Sequence, residues 1–120
     1  MNLDTPKAAV ALLEGMNGAP QPAAPQVIGA LGRKVIVRSR DAGVIYGEYA
    51  GNDGDTVHIK NGRQLWKWCA AKGISLIDLA TYGAKKSDCT FSPASATVTV
   101  FSACALIDTT AEAASSIEAV

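Results

Sequence analysis

Two tryptophans, Trp66 and Trp68, stand one residue apart in "NGRQLWKW", with Asn61, Arg63 and Lys67 among them. These residue types, spaced this way, suit the binding of an anionic ligand. Indole faces stack on flat rings, by roughly 1–3 kcal/mol per base in nucleic-acid sites. A guanidinium presents a planar fork that matches phosphate. Asparagine adds a donor and an acceptor. Arg38, in the upstream run "RKVIVRS", is a second arginine of the same kind. The candidate ligand-binding residues are therefore Arg38, Asn61, Arg63, Trp66 and Trp68. A competing reading of the same stretch makes at least one tryptophan a wall of the core and the basic residues an ordinary solvated strand face.

Catalysis is harder to assemble. The only histidine, His58, lies between two β-branched residues and reads as a solvated strand position. Asp41, Asp53 and Asp55 fall in turn sequences, where aspartate bonds its own backbone. There is no glycine-rich phosphate loop, nucleophile elbow or spaced pair of metal ligands in the sequence. Cys69, Cys89 and Cys104 are odd in number and widely spaced, which argues against a disulfide framework. They read as reduced thiols, buried for structural reasons. With one histidine as nitrogen partner, a zinc site is not expected. The reading is a non-enzymatic protein without metal or cofactor.

Composition narrows the partners. Eleven Lys and Arg balance eleven Asp and Glu, for a formal net charge of zero. General nucleic-acid binding needs a basic excess and is not expected. No apolar run reaches membrane-spanning length. "AAVALL" near the start follows Asp4 rather than a basic region, so a secretory signal is not expected.

The positioning elements fall into an arm and a body. "LDTPKAAVALLEGMNG" reads as a short helix, with Asp4 or Thr5 as cap, Pro6 in the first turn and Gly18 as stop. "APQPAAPQ", with three prolines in eight residues, reads as an extended tether. Residues 1–26 thus form an arm. A helix so short is marginal alone, so the arm is expected to lean on a neighbouring subunit and build a homo-oligomer.

Residues 27–120 read as one β-rich domain. Arg33–Ser39, Val44–Gly51 and Thr56–Asn61 are strand-like, separated by "RDAG" and by the hairpin signal "NDGD". Gly47 inside the second run predicts a bulge or a close backbone approach. Gly62–Trp68 reads as a fourth strand, with Gln64, Trp66 and Trp68 on one face and Arg63, Leu65 and Lys67 on the other. Ile74–Tyr82 predicts a helix that Ser75 can cap and Gly83 can end. Ala84–Pro93 reads as loop and Ser95–Asp108 as a further strand region. A final helix follows, with Asp108 or Thr109 as cap and Glu112 in a capping box. The fold class is mainly β (α+β), a small bent antiparallel sheet or barrel, with one helix after the fourth strand, a C-terminal helix and an N-terminal helical arm.

The stretch from Val35 to Gly83 also resembles a family of short tailed-phage proteins, mostly recorded as hypothetical. The shared pattern is Arg38 and Ser39 before Ala42-Gly43-Val44, then Gly47, Asn61, Arg63, the spaced aromatics Trp66 and Trp68, and Ser75, Leu76, Leu79 and Ala80. The resemblance extends over about Arg33 to Val120 and leaves the arm outside. It implies a phage accessory protein but no activity. Small phage proteins of this kind often bind something of the host. By that analogy the expected function is to sequester a small anionic nucleotide signal of host defence, in the host cytoplasm. The alternative is a virion structural or decoration (capsid cement) protein, with phage capsid subunits as partners, assembled through its arm.

Overall fold

The computed structural model describes residues 27–120. The expected arm, Met1–Gln26, lies outside the described residues. Six antiparallel strands and two short helices make up the body: β1 Lys34–Ser39, β2 Gly43–Asp53, β3 Thr56–Lys67, α1 Leu76–Tyr82, β4 Thr90–Phe91, β5 Ser95–Val100, β6 Ala103–Asp108 and α2 Ala111–Glu118.

The strands pair in the order β4-β3-β2-β1-β6, and β5 joins the same free side of β3 as β4 but further back along it. β1 is an interior strand, and it is covered on both faces, which is why its run Val35-Ile36-Val37 is apolar without alternation. Ile36 points to the face that carries the helices, with Tyr46, Leu65, Leu79, Ala114 and Ile117. Val35 and Val37 point to the opposite face, where Ile45, Tyr49, Val57, Ile59 and Val100 form a second core.

That second core is enclosed because the sheet curls. β5 and β6 lie at opposite ends of the sheet yet are separated only by Phe101 and Ser102. Ser102 takes a left-handed backbone conformation there, with φ of 55°. The corner is fastened by the Ala103 amide donating to the Asp55 carbonyl (2.8 Å) and the Ser39 hydroxyl donating to the Phe101 carbonyl (2.7 Å). Of the two forms expected from the sequence, a bent antiparallel sheet or a barrel, the sheet forms and the barrel does not. Among the described residues β5 forms a ladder only with β3 and β6 only with β1, so no ladder joins the two ends and the sheet stays open.

The expected fourth strand is the second half of β3. Asn61 and Gly62 do not turn the chain. They form a bulge, because Gly47 alone on β2 faces both of them. Asn61 takes the left-handed conformation, φ 53°, which asparagine tolerates better than most residues. The anticipated close approach at Gly47 is present. A Cβ at Gly47 would fall 2.4 Å from Ile59 Cγ2 and 2.9 Å from the Lys60 carbonyl, and one at Gly62 would fall 2.7 Å from Val98 Cγ2.

α1 starts at Leu76, two residues later than the apolar spacing suggests. Ser75 sits in an extended conformation as its cap, accepting from the Asp78 amide, while the Asp78 carboxylate accepts from the Ser75 amide. This buries Leu76, Leu79 and Ala80 and turns Ile77 out; Ile74, ahead of the helix, is also exposed. α2 is capped by Thr110, not Thr109, whose hydroxyl instead donates to the Lys34 carbonyl. The two helices are tied side by side by the Thr110 amide on the Ala80 carbonyl and by the Ser116 hydroxyl on Ala84. The segment read as loop contains a 3-10 turn, Lys86–Asp88, and the two-residue β4.

Gly47→Ala forces a methyl group into the Ile59 side chain at the crossing of β2 and β3. It is expected to destabilise the domain by about 1–3 kcal/mol, read as a lowered urea midpoint with an unchanged slope.

Candidate functional site

The five candidate residues do not converge on one site. β3 decides where four of them go, because each extra residue in a strand inverts its later side chains. Before the bulge at Asn61–Gly62, the odd-numbered Val57 and Ile59 face the second core. After it, the odd-numbered Leu65 faces the helices. A second extra residue is Trp66 itself, since Leu65 pairs with Phe91 and Lys67 with Thr90, neighbours on β4. Trp66 is squeezed out to 77 % exposure, and Trp68, beyond the end of β3, turns inward to pack on the helix-side core. The two indoles thus do not share a face, contrary to the alternation expected from the sequence.

Arg63 follows Leu65 to the helix side and is used there. Its Nε donates to the Ser92 carbonyl (2.8 Å), Nη1 to the Ile117 carbonyl (3.2 Å) and Nη2 to the Val120 carbonyl (3.0 Å). The guanidinium also lies over the Phe91 ring, 5.6 Å from its centre. A cation is favoured at a helix C-terminus, where carbonyls lack partners. Arg63 therefore pins the end of α2 to β3.

Arg63 and Asn61 line a cleft of about 490 Å³ with Lys34, Tyr46, Glu48 and Glu118. The polar groups here are already paired with one another. Lys34 Nζ and the Tyr46 hydroxyl both donate to one Glu118 oxygen, at 2.6 and 2.5 Å, and Asn61 Nδ2 donates to Glu48 at 3.1 Å. The bond from Lys34, and after it the bond from Tyr46, holds the Glu118 carboxyl below the usual carboxylate range. Burial, reinforced by Glu118, pushes the Tyr46 hydroxyl well above the ordinary tyrosine value. Two cations face two carboxylates, so this cleft has no charge to spare for an anion.

Arg38 stands elsewhere, in a second cleft of about 400 Å³ with Arg40, Asp55, Ser102, Ala103 and Cys104. Among the described residues, neither the Arg38 nor the Arg40 side chain makes a hydrogen bond or ion pair. Arg40 was not among the residues singled out from the sequence. It shares the cleft with Ser102, 62 positions away, and nothing local signals that meeting. The cysteines are free. Cys69 and Cys89 are half-buried, and Cys89 Sγ accepts from the Cys69 amide at 3.3 Å, whereas Cys104 is exposed rather than buried. His58 Nε2 lies 2.8 Å from the Asp53 carboxylate on the strand surface. No group of metal-ligating side chains gathers among the described residues, and no helix there is long and apolar enough to cross a membrane.

A family model described as "Domain of unknown function (DUF6948)" matches residues 32–117. The chain belongs to this family. The match runs from just before β1 almost to the end of α2, so the curled sheet, α1, nearly all of α2 and the cleft of Arg38 and Arg40 lie within the family's domain, while Glu118 and Val120 of the other cleft follow it. No curated protein and no solved structure matches the chain.

Two outcomes are expected of the α2 anchor. Arg63→Ala removes the charged partner of three carbonyls and should cost about 1.5–3 kcal/mol, with Arg63→Lys falling between it and the parent in a thermal melt. For Glu118, the folded carboxyl has a lower pKa than the unfolded one. Its stabilising contribution is then present above the ordinary glutamate value of about 4.3 and is lost as pH falls through the folded value. Urea midpoints measured from pH 7 downward should show a shallower acid loss below about pH 5 in Glu118→Gln than in the parent.

Proposed function

We propose that this domain is a non-enzymatic binding protein that holds a small phosphate-bearing ligand in the cleft between Arg38 and Arg40. The observation that carries the reading is the pair of guanidinium groups that line one cleft and bond to no other side chain or carbonyl among the described residues. Two arginines face one acid, Asp55, so an anion gains charge-assisted hydrogen bonds without displacing an existing pair. The Ser102 hydroxyl adds a donor, and Ala103 and Cys104 give the cleft an apolar wall. Stacking on the tryptophans is not needed for this, since neither Trp66 nor Trp68 lines the cleft.

The resemblance to short tailed-phage proteins supplies the setting. There the ligand is a nucleotide signal of host defence, taken out of circulation in the host cytoplasm. The sequence offers no activated nucleophile or acid–base pair to cut such a ligand, and sequestration would return it intact. A second reading, a virion decoration protein, is favoured by one observation. Ile74 and Ile77 stand 93 % and 64 % exposed at the start of α1, an apolar surface suited to a capsid partner.

Calorimetry with a panel of cyclic nucleotides tests the first reading. One of them should bind, and chromatography after denaturation should recover it unmodified. Arg38→Ala and Arg40→Ala should each weaken binding by about 1.5–3 kcal/mol while leaving the melting temperature near the parent's. A cleaved product would show an enzyme. No binding by any member, with abundant copies found by mass spectrometry of purified virions, would favour decoration.

A further inference from the structure

We infer that the open edge of β5 is a self-association surface, where a second copy of this chain adds its own β5 antiparallel and continues the sheet. An exposed strand edge presents a row of unpaired amides and carbonyls, and monomeric proteins blunt such edges with charge, proline or a bulge. β5 has none of these. Its sequence, "SATVTV", is uncharged, and no charged residue occurs from Cys89 to Ile107. Pro93 precedes the strand without entering it. The β5–β3 ladder runs from Ser95 to Val100 without a register shift, whereas β3 is bulged against both β2 and β4. Among the described residues β5 pairs with β3 alone.

The occupant follows from the side chains. Ala96, Val98 and Val100 alternate on the face of the second core. Val100 is buried, Val98 is half-buried against that core and Ala96 is exposed, so the apolar row runs out past its cover. A second β5 laid antiparallel brings an identical row, which closes over the first about a two-fold axis. A charged partner strand would face thirteen residues of β5, the corner and β6, Ser95–Ile107, that offer it no counter-charge. A second copy brings none either, and a net charge of zero leaves little long-range repulsion between copies. Because the same strand serves both partners, the pairing is isologous and stops at a dimer.

Thr97→Glu on the full chain is the decisive variant. Thr97 is exposed and lies opposite Lys60 on β3, so the new carboxylate finds a counter-charge within one copy and a like charge across the two-fold axis. By light scattering the parent should be a dimer at tens of micromolar, and Thr97→Glu a monomer with a parent-like circular dichroism spectrum. Ile77→Glu, on the outer face of α1, should remain a dimer. Should Thr97→Glu fail to fold, amide exchange of the parent serves. Those amides of Ser95–Val100 that point away from β3 should exchange more slowly as concentration rises. A monomeric parent, a Thr97→Glu variant of unchanged mass, or a mass that grows without limit would each overturn the inference. So would dissociation by Ile77→Glu alone, or concentration-independent protection of those β5 amides that point away from β3, the result expected if the chain's own residues 1–26 cover the edge.

Discussion

β3 carries one residue more than β2 where Gly47 faces Asn61 and Gly62, and most of the molecule follows from that mismatch. An extra residue in an antiparallel pair cannot be absorbed by the ladder, so it is expelled as a bulge that bends and twists the strand. The bend brings Ile59 and Val98 against the two glycines, at distances that leave no room for a Cβ. It also reverses the faces. The first half of β3 serves the core inside the curl, and the second half serves the core under the helices. One strand thereby builds both cores, and a sheet too small to form a sandwich gains two buried sides.

The helices depend on the same reversal. Because Arg63 emerges on the helix side, its guanidinium reaches the Ile117 and Val120 carbonyls at and just past the end of α2. Lys34 and Tyr46, from β1 and β2, reach Glu118 in the last turn of that helix. A short helix with no basic residue in its own last turn is thus held by cations borrowed from the sheet. Arginine bonds three carbonyls through a rigid fork, which a lysine cannot reproduce. The residues that look most like a ligand site in the sequence are here the fastening of the fold.

The corner at Phe101–Ser102 does the complementary work. It lets the strand region after β4 leave β3 and cross to β1, so that the two ends of the sheet meet without bonding. Arg38 and Arg40, from β1 and the turn after it, meet Asp55 and Ser102 at this corner. Among the described residues, the guanidinium pair without partners and the unpaired edge of β5 are both products of a sheet that curls but does not close.

The elements themselves were legible in the sequence. β-branched runs broken by Gly and Asp-Gly turns mark β1, β2 and β3, Ser75 marks the start of α1, and Gly47 marks a crossing, because each signal is local to a few residues. What the sequence could not show is which way β3 faces after its bulges. Alternation has a period of two, and a single unpaired residue inverts every side chain beyond it. Trp66 and Trp68 were therefore paired by alternation and separated by the fold. Whether an arginine is free is equally a tertiary matter. Arg38 and Arg63 are alike in sequence, yet one guanidinium meets three carbonyls brought from the end of α2, the C-terminal residue and the loop before β5, and the other bonds to none of the described residues. That difference depends on contacts made across more than fifty residues, which no local pattern encodes.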